Sequence, residues 1–102
     1  MSVYQLSKPI TAYGEEVSEL ELREPTTKDA RIVNALPYTF QDASGIPALV
    51  PQACARYIER LASLPASAVD QIALVDFNTL SWEIAGHFLA QESAPQTTES
   101  DG

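Results

Sequence analysis

The side chains best able to do chemistry in this chain are a lone histidine, a lone cysteine and several glutamates. His87 follows Glu83 by four residues. Two ligands at that helical spacing could touch one metal ion, but a structural zinc site needs four. Cys54 has no second cysteine for a disulfide and no adjacent lysine or histidine to favour its thiolate. The sequence therefore predicts a helix-surface histidine and a small, unreactive thiol that is buried or half-buried.

Paired carboxylates and phosphate-binding loops are equally hard to find. Glu15 and Glu16 are neighbours in a turn and would point to opposite faces of an extended chain, which is unsuited to acid–base catalysis. Gly14 and Gly45 are isolated, so there is no glycine-rich phosphate cradle. We therefore expect no enzyme, no cofactor and no metal, and a protein that acts by contact.

Length and charge narrow the classes further. The chain has 102 residues, 45% of them hydrophobic, which is enough for one small core. Its formal net charge of −8 repels nucleic acids and anionic membranes, and no apolar run could span a bilayer. One cysteine and no visible leader predict a cytoplasmic protein. Five acids crowd one segment, either as a solvated face or as a docking surface for a basic partner: Glu15, Glu16, Glu19, Glu21 and Glu24.

The first predicted element of the chain is a pair of strands from about Val3 to Leu22. Leu20 and Leu22 alternate with charged residues, which is typical of a strand with one covered face. Gly14 can adopt the positive φ that a chain reversal needs. Pro25 then ends the strand, and Thr26 or Thr27 can cap a first helix.

Four helices are predicted after the hairpin, over about 26–36, 51–64, 67–74 and 76–90. Ser67 is the predicted cap of the third helix and Asp76 that of the fourth. Between the first two helices, residues 37–51 contain three prolines and predict an apolar loop folded back across the helices, or a lid over a partner groove. The fold class is α+β, with the hairpin packed on a small layer of three to four helices.

The last helix is apolar on more than one face. Its core-facing residues recur at three, four and four positions: Phe77, Leu80, Ile84 and Phe88. Trp82, Ala85 and Leu89 form a second ridge, which is either sandwiched in the core or open to a partner. From Gln91 to Gly102 no large apolar residue occurs, so the chain divides into a domain over 1–90 and a disordered acidic tail over 91–102.

A family resemblance rests on the hairpin and the helix start. The arrangement of Pro9-Ile10, Gly14, Val17, Leu20, the string 22–25 (Leu-Arg-Glu-Pro) and Asp29 resembles the small tail assembly chaperones of Mu-like contractile-tailed phages. The resemblance covers about residues 3–89. It implies a protein without catalytic residues that holds the long tape measure protein soluble until the tail tube polymerises around it. It also implies that such a protein is absent from the mature virion.

The candidate contact residues for that partner are apolar positions in the loop and on the last helix: Phe40, Ile46, Leu49, Trp82 and Leu89. The positions that match the family, Gly14, Leu20, Leu22, Arg23, Pro25 and Asp76, look like determinants of the fold. Self-association through the same surface stays open. Two other functions also remain: a small structural tail or baseplate subunit, and an acidic inhibitor that imitates DNA.

Overall fold

Two antiparallel hairpins and four helices make up the fold, in the computed structural model that describes residues 2–40 and 43–93, with 90–93 described by backbone alone. The N-terminal hairpin precedes α1, the second hairpin separates α1 from α2, and α3 and α4 follow. The elements are β1 (Ser2–Ala12), β2 (Glu15–Leu22), α1 (Thr27–Val33), β3 (Tyr38–Phe40), β4 (Pro47–Leu49), α2 (Pro51–Ala62), α3 (Ala66–Val69) and α4 (Leu74–Ser93).

The N-terminal hairpin confirms the predicted strand pair. Ala12 pairs with Glu15, so two residues form the turn, and both have positive φ: Tyr13 at 55° and Gly14 at 78°. Such a turn matches the right-handed twist of the flanking strands. Leu20 and Leu22 are buried against the helices, as the alternation predicted. The alternation thus places one face of the hairpin on the core.

An irregularity in β1 shapes its contact with the helices. The register between β1 and β2 shifts between Gln5 and Ile10. Bulges of this kind bend a strand and redirect its side chains. The shifted segment includes Ser7, whose backbone amide points away from β2 and bonds to a helix side chain. The sequence did not predict this shift, because no glycine marks it.

The first helix is shorter than predicted. Thr26 is its N-cap, and the helix ends at Val33 because Asn34 adopts a left-handed conformation at φ 65°. The Asn34 amide bonds to the Ala30 carbonyl. The prediction that the helix reaches position 36 is therefore wrong. Asn tolerates this conformation better than most residues and often ends a helix in this way.

The predicted apolar loop is a second hairpin. Tyr38 pairs with Leu49, and Phe40 pairs with Pro47, so three residues on each side form a small sheet. Pro47 lies at the start of its strand, where proline is tolerated. The sequence did not predict this hairpin, because the segment contains three prolines and its strands are short.

The second and third helices also end earlier than predicted. Ser63 adopts a left-handed conformation and ends α2 at Ala62 rather than at position 64. The third helix was predicted over 67–74 with Ser67 as cap. It instead spans Ala66–Val69 after Pro65, without a side-chain cap. Its start is fixed by the Pro65 carbonyl, which accepts the amides of Ala68 and Val69 at 3.0 and 3.2 Å.

The fourth helix starts two residues earlier than predicted. The Phe77 amide bonds to the Ala73 carbonyl at 2.8 Å, so the helix already includes Leu74. Asp76 therefore lies within its first turn, and the prediction that it caps the helix is wrong. The helix continues to Ser93, beyond the predicted boundary at position 90. Residues 94–102, the rest of the predicted tail, lie outside the described residues, so the division into a domain and a tail stays a prediction.

The core lies where the N-terminal hairpin meets α2 and α4. Its largest fully buried side chains include Tyr57, Ile58, Leu80 and Ile84. Phe77 and Phe88 are half-buried and pack against it, so the predicted inner face of the last helix is correct. The Tyr57 and Phe88 rings meet edge to face at a centroid distance of 5.6 Å. Cys54 is fully buried, as predicted for a small hydrophobic residue.

Candidate partner-binding surface

A buried aspartate fixes α1 against the hairpin and α2. The Asp29 side chain is 1% exposed, and its Oδ1 accepts from Arg23 Nη2 at 2.7 Å and Arg60 Nε at 2.8 Å. Its Oδ2 also accepts the Thr26 amide at 2.9 Å, which completes a capping box. These bonds, led by that from Arg23, hold the pKa of Asp29 far below its usual value, although burial opposes the shift. One carboxylate thus connects three elements.

A second buried aspartate fixes α4 against β1. Asp76 accepts from the Ser7 amide, the Ser7 hydroxyl and the Tyr4 hydroxyl, each at 2.9 Å. Burial alone would raise the pKa of Asp76, but these bonds and one from the Lys8 amide outweigh it and lower the pKa. Both aspartates therefore have structural roles and present no free carboxylate for catalysis.

One side of α4 is only partly covered. At about 100° per residue, Val75, Trp82 and Leu89 fall within roughly 40° of one another and lie nearly opposite the buried Leu80 and Ile84. Trp82 is 42% exposed and Val75 is 63% exposed. Leu89 is half-buried. The predicted second ridge is therefore divided, because Ala85 is buried while Trp82 is open to solvent.

A glycine lies within this partly covered side. Gly86 is four residues from Trp82, and a Cβ built on it would meet no atom within 4 Å. The glycine therefore leaves open space on the side of α4 that carries Trp82, and we call this space the notch at Gly86. We call Val75, Trp82, Gly86 and Leu89 together the outer stripe of α4. It extends about 21 Å along the helix.

The other predicted contact residues lie on the second hairpin. Phe40 and Ile46 are exposed, at 51% and 70%, while Leu49 is half-buried. The hairpin is tied to α4 through Tyr38, whose ring lies 6.3 Å from that of Phe88. The five predicted contact residues thus belong to two elements. Their role in binding stays a prediction.

A pocket opens between the start of α1 and the end of α4, with a volume of about 410 Å³. Its lining residues are Pro25, Thr26, Thr27, Ala30, His87 and Phe88. The Thr26 hydroxyl donates to Asp29 Oδ2 at 3.0 Å, so this group of the lining already has a structural role. Among the described residues, no three His, Cys, Asp or Glu side chains group as metal ligands would. Within the same residues, no helix combines the length and the apolar character needed to cross a bilayer.

The comparison with protein families decides the assignment. Residues 3–89 match the family described as "Phage tail assembly chaperone proteins, E, or 41 or 14". The chain belongs to the phage tail assembly chaperone family. The matched range includes both hairpins and the first three helices, together with most of α4. No significant match was found among curated proteins or among solved structures.

Sequence reasoning missed two members of the outer stripe. Val75 was outside the predicted helix, because Asp76 was assigned as its cap. Because the helix starts at Leu74, it includes Val75, which lies seven residues before Trp82 and fourteen before Leu89. Gly86 has no side chain, so a search for apolar side chains could not find it. The seven-residue spacing could have identified Val75, but only if the start of the helix had been predicted correctly.

Proposed function

We propose that this chain binds the tape measure protein of its phage and keeps it soluble until the tail tube polymerises. Membership of the tail assembly chaperone family carries the proposal, since it directs the search to a tail protein partner. The exposed apolar side chains on α4 and the second hairpin support it. A long helical partner with apolar stripes would aggregate if those stripes stayed uncovered.

The mode of binding follows from these surfaces. Partner residues at helical spacing settle on Trp82, Leu89 and the second hairpin, as an amphipathic helix does in an apolar groove. The exposed glutamates of the N-terminal hairpin and the net charge of −8 keep the loaded chaperones apart. The partner leaves as tube subunits take its place. No step in this cycle requires a reactive side chain.

Co-expression tests the proposal most simply. The tape measure protein is produced with and without this chain, and its soluble fraction is measured. The proposal predicts a higher soluble fraction in the presence of this chain and joint purification of the two proteins. An unchanged soluble fraction contradicts it.

A matched pair of variants links the effect to the surface. Replacing Trp82 and Leu89 together by serine should weaken partner capture and leave the helical circular dichroism largely intact. The control replaces Gln52 and Ser67 by alanine, since both are exposed polar residues that lie outside α4 and the second hairpin. Equal capture by both variants would remove the apolar contacts from the mechanism.

The proposed role also places the protein in the host cytoplasm and outside the finished particle. Mass spectrometry of purified virions tests this against the alternative of a small structural tail or baseplate subunit. A chaperone should be absent or present only in traces. Stoichiometric amounts in washed particles would favour the structural subunit.

A further inference from the structure

We infer that the outer stripe of α4 is a docking site for a single amphipathic helix whose apolar stripe is flanked by lysine or arginine. The inference deepens the proposed chaperone role and rests on it only for the identity of the natural partner. Shape supports a helix as occupant. Val75, Trp82 and Leu89 recur every seven residues, as one of the two contact positions of each heptad does in paired helices.

The notch at Gly86 favours close helix packing. Trp82 provides a large apolar side chain, and four residues later the helix has no side chain at all. A partner side chain can enter this space as a knob enters a hole, with Trp82 packing beside it. A flat apolar patch would not fix the position of a partner helix along α4 in this way.

Charge decides which helix fits. Helix α4 contains no lysine or arginine, and its acids are Asp76, Glu83 and Glu92. Asp76 is buried and fully engaged with β1, whereas Glu83 is exposed on the flank of the stripe nearest Gly86 and accepts from the Ser2 hydroxyl at 3.1 Å. A second copy of this chain would bring a further net charge of −8 to the same place. The negative charge of the chain therefore attracts a basic helix and repels a second copy of the chain.

The chain contains its own reporter for the test, because Trp82 is the sole tryptophan. The probe is a synthetic three-heptad peptide with leucine at its apolar positions and lysine at the flanking ones. The control peptide has glutamate in place of each lysine. We expect the lysine peptide to shift Trp82 emission to shorter wavelength and to bind at least roughly tenfold more tightly than the glutamate peptide. Added salt should reduce this difference.

Two neighbouring substitutions locate the site. Val75→Gln and Leu74→Gln make the same neutral, apolar-to-polar change in adjacent exposed residues, but only Val75 is in line with Trp82. Val75→Gln should weaken the lysine peptide roughly tenfold, while Leu74→Gln should leave its affinity within about twofold. Gly86→Leu fills the notch and should also weaken binding. Circular dichroism checks that each variant is folded.

Several results would overturn the inference. They are the absence of an emission shift, equal affinity for the two peptides, and equal effects of Val75→Gln and Leu74→Gln. A dimer in sedimentation experiments that Val75→Gln abolishes and Leu74→Gln preserves would assign the stripe to a second copy instead. Co-expression separates the two proposals: if Val75→Gln still keeps the tape measure protein soluble, the docking site is wrong and the chaperone role stands. If the unaltered chain fails to do so, the chaperone role is wrong.

Discussion

The two long faces of α4 are both apolar, yet only one of them is fully covered. Leu80 and Ile84 on the inner face are at most 2% exposed, whereas Val75 and Trp82 on the outer face are 63% and 42% exposed. The inner face packs against the hairpin and α2, and Leu89 on the outer face is half-buried. The comparison separates two uses of hydrophobic residues in one helix. Those on the inner face stabilise the fold, and those on the outer face are available to a partner.

Truncating an inner-face residue should have the largest effect on stability. Leu80→Ala removes a fully buried side chain and should lower the free energy of unfolding by about 3 kcal/mol, because it removes apolar contacts and leaves a cavity. Chemical denaturation measures the change. Val75→Ala is the outer-face comparison and should cost less than about 1 kcal/mol, because this side chain is small and 63% exposed. Equal costs would show that the two faces are not different.

Breaking the ion pairs of Asp29 should have the second-largest effect on stability. Asp29→Asn keeps the shape of the side chain but removes the charge that pairs with Arg23 and Arg60. We expect a loss of about 2 kcal/mol in the free energy of unfolding, which is less than the roughly 3–5 kcal/mol of fully buried pairs, because both guanidinium groups are partly exposed. Glu24→Gln is the control, since this carboxylate is exposed on the same loop. An unchanged stability in Asp29→Asn would contradict the structural role.

Acid should weaken the contacts of Asp29 and of Asp76. The folded pKa values of Asp29 and Asp76 are depressed, so each contributes stability that is complete above the unfolded value of about 3.9 and is lost as pH falls through the folded value. Thermal melting between pH 7 and pH 2 should therefore show a fall that begins near about pH 4. Asp29→Asn should flatten that fall. A profile identical to that of the unaltered chain would exclude Asp29 as a cause.

Filling the outer notch should have the smallest effect. Gly86→Ala adds a methyl group in open space and removes glycine from a helix interior, so it should raise the free energy of unfolding by about 0.8 kcal/mol. Gly14→Ala is the contrast: its φ of 78° suits glycine, so alanine there should lower stability by about 1 kcal/mol. Destabilisation by Gly86→Ala would mean that the space beside Trp82 is occupied.

The same comparison explains what the sequence could predict. Alternation in β2 and the spacing of Leu80 and Ile84 describe which face is covered, and both were predicted correctly. These patterns are local and periodic, so a few residues suffice to define them. The α+β class and the phage tail assembly chaperone family were likewise predicted from the residues and are confirmed.

The errors arise where a distant group competes with a local signal. Asp76 looks like a helix cap in the sequence, but its carboxylate accepts from the hydroxyls of Ser7 and Tyr4, on a strand some seventy residues away. That long-range contact moved the helix start and brought Val75 into the outer stripe. The second hairpin was missed for another reason, because strands of three residues are too short to show a period.

The central claim is that the outer stripe of α4 is exposed in the free chain and covered in the complex. Biosynthetic labelling of Trp82 with fluorotryptophan gives a single reporter, since the chain has no other tryptophan. Fluorine NMR should show one solvent-accessible resonance in the free chain and a shifted, solvent-protected resonance after addition of unlabelled tape measure protein. A stable complex in which that resonance keeps its position and solvent accessibility would contradict the account.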